Sequence, residues 1–222
     1  MNKPELISND KGLFLSMNGM EINCDFQSLM KRIMPQKLNG EMLIKACKFK
    51  GKTPSREAPL WAIDCTAGLG EDAFLLAAYG FRVTLLERNT IIYHLLEDGI
   101  NRALKVGPAE LSDIIKRMEP ALSDSIEYLH TISDHNESSP DLIYLDPMFP
   151  ERTKSGLIKK KFQLLQALEN TATDEKELLL AAINCKPRKI VIKRPLKAEY
   201  LGDIKPSYSI KGSVIRYDCI VI

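Results

Sequence analysis

The chain has 222 residues, 45% hydrophobic and 27% charged, with 31 Lys and Arg against 29 Asp and Glu, the profile of a globular α/β domain with room for a small appendage. No run approaches the roughly 18 consecutive apolar residues of a membrane helix, and the first residues lack a signal peptide's apolar stretch, so a cytoplasmic location without membrane contact is expected. Five scattered cysteines without a CxxC pair, and three histidines, argue against a disulfide framework or a metal centre.

The small net charge hides an asymmetry. Residues 1–150 hold 16 basic and 21 acidic side chains, whereas 151–222 hold 15 and 8. The basic end is either a face for a polyanion or an ordinary solvated surface.

In chain order, residues 13–26 read as two apolar-alternating runs joined by Asn18-Gly19, a strong hairpin signal because a type I′ turn needs positive φ at both positions. A stretch with helical spacing follows (Leu29, Ile33, Met42, Leu43, Ala46), then a polar linker at 51–59. Residues 1–57 are therefore expected to form a hairpin-and-helix appendage and 58–222 the main domain. From Leu60 short apolar strands alternate with helical segments, the signature of a mostly parallel sheet. Strands are predicted at 60–64, 82–86, 127–131, 141–145 and 189–193, and helices at 72–79, 90–104, 109–118, 155–169 and 174–184. Two last strands around Lys211-Gly212 predict a C-terminal antiparallel hairpin.

Residues 60–73, LWAIDCTAGLGEDA, give an apolar strand, Asp64, the turn glycines Gly68 and Gly70, and a helix start. Glycines let a ligand approach bare backbone next to unpaired helix N–H groups. Glu87 ends the next strand, where it can accept hydrogen bonds from ribose hydroxyls. Spacing alone allows a nicotinamide cofactor. However, Glu71 and Asp72 would repel a pyrophosphate, and Asp64 can pair with an ammonium. A cationic sulfonium cofactor, S-adenosylmethionine, fits better.

Residues 141–150, DLIYLDPMFP, put Asp146-Pro147-Met148-Phe149 after a buried strand. Methylating an exocyclic amino nitrogen needs such a loop. A carboxylate and the Pro147 carbonyl can accept both N–H bonds and orient the lone pair, while Phe149 offers a stacking face.

DCTAGLGEDAF, LLERN, YLDPMFPERTKS and VIKRP together resemble the bacterial ribosomal RNA small-subunit methyltransferase J family over roughly residues 60–222. The resemblance implies a class I, Rossmann-like S-adenosylmethionine-dependent fold that methylates guanine N2 near the 3′ end of 16S rRNA, within the 30S subunit or its RNA. It implies cofactor contacts at Glu71, Asp72, Glu87, Arg88 and Asp146. A further pair is expected after a strand ending near His130, at Ile132 and Ser133, with Asp134 as an alternative. Lys154, Lys159, Lys160 and Lys161, with Lys193 and Arg194 at the sheet edge, are candidate RNA contacts, or else solvated and structural cations. A monomer needing no metal is expected. Adenine N6, a protein glutamine amide, and a non-catalytic RNA-binding assembly role remain open on residues alone.

Overall fold

The structure is a computed structural model and describes residues 4–55, 57–134, 139–147 and 175–222. Phe149, Lys154, Lys159, Lys160, Lys161 and the helix expected at 155–169 lie outside the described residues. Asn18 at φ 53° and Gly19 at φ 72° close the expected two-residue turn, pairing Met17 with Met20. That turn joins two strands of a three-stranded antiparallel sheet: β1 (Glu5–Asn9), β2 (Gly12–Met17) and β3 (Met20–Ile22). The first strand escaped the sequence reading because ELISN is mostly exposed and carries no buried alternation. Short helices follow: α1 (Phe26–Leu29), α2 (Pro35–Gly40) and α3 (Met42–Cys47).

The main domain continues with β4 (Trp61–Asp64), α4 (Glu71–Tyr79), β5 (Arg82–Glu87), α5 (Thr90–Val106), α6 (Ala109–Ile115), β6 (Met118–Leu122), α7 (Ser125–Asp134), β7 (Leu142–Leu145), α8 (Glu175–Asn184), β8 (Lys189–Pro195), β9 (Tyr208–Lys211) and β10 (Ile215–Val221). The strands form a seven-stranded sheet ordered β6-β5-β4-β7-β8-β10-β9. Pairings from β6 through β8 are parallel, whereas β10 runs antiparallel to both β8 and β9. The C-terminal hairpin is therefore present as expected.

Alternation along the strands sorts the core into two layers. Ala62, Leu142, Tyr144 and Val191 face α3, α4, α5 and α6, while Ile63, Ile143, Leu145 and Ile190 face α7 and α8. The N-terminal elements share the first layer: Leu15, Phe26 and Leu43 are buried in it. A polar pair on α5 fastens them, since Asp98 accepts from the Leu13 amide at 3.1 Å and Arg102 donates to the Cys24 carbonyl at 2.5 Å.

One expected strand is wrong, and the error has a local cause. Residues 127–131 lie inside α7, because Asp124 Oδ1 accepts from the Ile126 and Glu127 amides and starts a helix. The third parallel strand is instead β6, at the end of the segment read as a helix over 109–118. Its Pro120 lacks an N–H, which an edge strand tolerates.

Candidate functional site

Strand order reverses around β4, which lies between β5 and β7, so a crevice opens at the carboxyl ends of these strands. The chain delivers Asp64, Cys65 and Thr66 to it from β4, Glu87 and Arg88 from β5, Ser123 and Asp124 from β6, and Asp146 and Pro147 from β7. Lys193 reaches it from β8.

The β4 turn is built from its own side chains. Asp64 is buried and accepts from the Thr66 amide at 3.0 Å, while Thr66 Oγ1 accepts from the Asp146 amide at 2.7 Å. Cys65 is held on two sides, its amide donating to the Tyr144 carbonyl at 3.0 Å and its carbonyl accepting from Ser125 Oγ at 2.6 Å. Thr66 thus ties the cofactor-type turn to the acid-proline loop. Burial pushes the Asp64 carboxyl up to about 8, and the nearby charges of Asp72 and Asp146 add to that despite the Thr66 bond.

Gly68 and Gly70 both have positive φ, 53° and 74°, but face opposite ways. A Cβ on Gly70 would lie 2.8 Å from Leu96 Cδ1, whereas one on Gly68 would meet none of the described residues within 4 Å. Gly70 lets the turn pack on the core; Gly68 borders open space. Glu87 clamps that turn from β5: Oε2 accepts from the Gly68 amide at 3.0 Å and Oε1 from the Asn89 amide at 2.7 Å. The Arg88 amide also bonds this carboxylate, and since a carboxylate offers about four lone-pair sites, room remains for a hydroxyl. Burial raises the Glu87 carboxyl above its ordinary range.

The densest charge cluster lies between α4 and the end of β7. Lys193 Nζ is 2.8 Å from Asp72 Oδ2 and 2.8 Å from Asp146 Oδ2, and the Tyr144 hydroxyl donates to Asp72 Oδ2 at 2.7 Å. Burial opposes charge on both sides, yet attraction wins. It holds Asp72 below the usual carboxylate range and raises Lys193 well above the usual lysine range. Four carboxyl groups, Asp64, Asp72, Glu87 and Asp146, meet here with the Lys193 ammonium, an environment suited to a cationic ligand with hydroxyls.

Three expectations need correction. Ile132 and Ser133 are not at this edge: Ile132 is buried under the second core layer and Ser133 Oγ donates to the His130 carbonyl, about 10 Å along α7 from its start at Ser125. The strand misreading displaced the pair, and Ser123 and Asp124 occupy the edge position instead, Asp124 lying 3.9 Å from Arg88. Arg194, expected at RNA phosphates, is buried, donating to Glu175 at 3.1 Å and to the Glu199 carbonyl at 2.9 and 3.1 Å. Lys193 is likewise engaged by carboxylates. Thr66 and Tyr144 went unread, although a Thr two residues after Asp64 and a Tyr in an aliphatic strand were visible signals. Among the described residues no cluster of His, Cys, Asp and Glu suits a metal, and no helix is long and apolar enough to cross a membrane.

Strand order and crevice define a class I S-adenosylmethionine-dependent methyltransferase, whose cofactor suits the open Gly68 turn and the surrounding carboxylates. The family model described as "Putative SAM-dependent methyltransferase" matches residues 4–222, which includes nearly all of the N-terminal appendage. A crystal structure of an S-adenosylmethionine-dependent methyltransferase from Neisseria gonorrhoeae is similar at a TM-score of 0.76 and 29% identity, covering 99% of this chain and 83% of its own. Ribosomal RNA small subunit methyltransferase J of Cellvibrio japonicus is 41% identical over 182 residues, 81% of this chain and 66% of that protein. The same enzyme of Chromohalobacter salexigens is 39% identical over 183 residues, 82% and 68% respectively. The chain belongs to the ribosomal RNA small subunit methyltransferase J family, and its match spans about two thirds of these relatives' length.

Proposed function

We propose that the chain transfers a methyl group to N2 of a guanine near the 3′ end of 16S rRNA, in the 30S subunit or its RNA. The relatives' names support the RNA substrate. The observation that carries the chemistry is Asp146: it stands at the carboxyl end of β7, tied to the cofactor turn through Thr66 and to α4 through Lys193.

S-adenosylmethionine, when bound, supplies an electrophilic methyl group on a sulfonium. Asp64 would pair with its ammonium, Gly68 would let it approach the backbone while Gly70 packs the turn on the core, and Glu87 would take a ribose hydroxyl. Glu71 and Asp72 lie at the first turn of α4, and the Arg88–Asp124 pair would hold the adenine end. Asp146 accepts one N–H of the guanine amino group, the Pro147 carbonyl accepts the other, and Phe149 stacks on the base. Orientation matters because that nitrogen's lone pair is delocalised into the ring, and holding it in line is worth several powers of ten in rate. Lys193 Nζ, 2.8 Å from Asp146 Oδ2, fixes this carboxylate in place as acceptor and orienter.

Incubating the protein with labelled S-adenosylmethionine and unmethylated 30S subunits, followed by nucleoside mass analysis, tests this. N2-methylguanosine at a single position is expected. Label in N6-methyladenosine or in protein glutamine moves the acceptor, and no label despite cofactor binding rejects the assignment.

A further inference from the structure

The opposite edge of the sheet carries a second feature that the methyl-transfer reading does not use. A cleft of about 480 Å³ lies where the strap after α3 meets the starts of β8 and β9, lined by Lys48, Phe49, Lys50, Arg188, Lys189 and Tyr208 among others, with no acidic side chain among the described residues of its wall. Its cations are stationed over rings. The Arg188 guanidinium lies 4.8 Å from the Phe49 centroid, and Lys189 Nζ lies 5.0 Å from Phe49 and 5.7 Å from Tyr208.

Lys189 gives the cleft its depth of charge. Only 4% exposed, its ammonium donates to the carbonyls of Ala46 and Lys48, and no carboxylate among the described residues pairs with it. At the rim, Asp141 is shared by Arg188 at 3.4 Å and Lys52 at 3.5 Å, leaving Lys48 and Lys50 exposed and the site net positive. Tyr208 remains 42% exposed. Clustered cations interleaved with accessible aromatic rings are what single-stranded nucleic acid binds: phosphates on the cations, bases on the rings.

We propose that this cleft is a second RNA contact, in which Lys48, Lys50 and Arg188 hold backbone phosphates and the ring of Tyr208 stacks a base. The proposal rests on the RNA substrate argued above and adds where else that RNA is held. From Lys189 to Lys193 is about 13 Å along β8, so one folded RNA can touch both edges. Such a contact supplies affinity, while the crevice supplies chemistry.

The test uses the full chain and a fluorescent transcript of the 16S rRNA 3′ domain, titrated across a salt series. K48E/K50E/R188E should weaken binding at least tenfold near 0.1 M salt, and the salt slope should fall by about 2, since each lost phosphate contact removes roughly 0.7–0.9. Y208A should weaken binding about fivefold or more, with Y208F near wild type. The milder K48A/K50A, which leaves the Arg188–Asp141 pair intact, guards against misfolding: its thermal midpoint and S-adenosylmethionine affinity should stay at wild type while its RNA affinity falls. Wild-type affinity and slope in these variants overturn the proposal, as does a wild-type protein that binds no transcript. RNA bound through the cleft without methylated guanosine leaves the surface standing and removes the guanine assignment. Methylation with an unchanged KM for RNA in the variants does the reverse.

Discussion

Lys189 and Lys193 sit four residues apart on β8, hence on the same face of the sheet, and both are largely withdrawn from water. At the carboxyl edge Lys193 is bracketed by Asp72 and Asp146. At the amino edge Lys189 meets main-chain carbonyls and aromatic rings, and no carboxylate among the described residues. The same side chain is thereby driven in opposite directions: attraction raises the Lys193 ammonium above its ordinary range, and desolvation lowers that of Lys189. Compensation, more than burial, decides whether a buried lysine organises a reaction site or leaves a positive potential facing solvent.

The strongest test of the compensated edge is Asp146→Ala. It should lower kcat by about 10³, the upper range for losing one preorganised hydrogen-bonding group, while the thermal midpoint stays near wild type. Normal turnover would remove Asp146 from the reaction. Lys193→Met should come next, at about 10²-fold in kcat, because it frees both carboxylates to move. Lys193→Arg should restore part of the loss. The pH–rate profile separates a positioning role from simple loss of structure. Without the ammonium the carboxyl groups titrate higher, so the acid limb should move to higher pH in the Met variant and stay in place in the Arg variant.

Asp64 gives the next smaller effect. Its folded-state value of about 8 exceeds the ordinary value near 4. Between those pH values the folded protein keeps a proton that the unfolded chain has released, so stability falls as pH climbs from about 4 to about 8. Asp64→Asn should make that decline shallower, with Glu87 supplying a remainder of the same sign. Thermal midpoints of ligand-free protein at pH 5 and 8 measure it. An ammonium arriving on Asp64 would expel that proton, so S-adenosylmethionine should bind more tightly as pH rises from 6 to 7.5, by up to about tenfold per unit. The Asn variant should lose that dependence; an unchanged dependence would mean the ammonium sits elsewhere.

Most of this edge was legible in the sequence, for reasons that also explain the failures. Asp64, Gly68, Gly70 and Asp146 are confined to strand–turn junctions, where backbone geometry restricts residue type and leaves a short pattern. Lys193 and Tyr144 both reach Asp72, which lies more than 70 residues from either, and their local context, aliphatic strands, looks like core. Ile132 and Ser133 were misplaced because EYLHT alternates weakly enough to pass for a strand while the true strand, MEPAL, contains a proline. The amino-edge cleft left almost no trace. It is assembled from four distant segments, and none of its lysines stands in a motif.

The two turn glycines give a smaller contrast within the crevice. Gly70→Ala should destabilise by about 2–3 kcal/mol, combining left-handed strain with a clash on Leu96. Gly68→Ala should cost about 1 kcal/mol in strain alone, yet weaken S-adenosylmethionine binding, because its methyl enters open space beside Glu87. Chemical denaturation and a cofactor titration on each variant separate packing from ligand approach.

The smallest expected effect returns to the two lysines and reads their difference directly. Lys193 holds its proton above the ordinary lysine value, so the stability it contributes is complete below pH 10.5 and lost as pH rises beyond. Desolvation lowers the Lys189 ammonium, so in the window just below 10.5 the unfolded chain binds more protons than the folded protein, and stability rises with pH. Lys189→Met should erase that alkaline rise and leave kcat within about twofold. Its stability at neutral pH should change by only about 1 kcal/mol, because relief of the desolvated charge offsets two carbonyls left without a donor. Lys193→Met should instead erase the alkaline fall. Urea unfolding of both variants from pH 8 to 11 distinguishes the two environments by sign, and slopes of the same sign would show that the carboxylates at one edge and the carbonyls at the other do not set them apart.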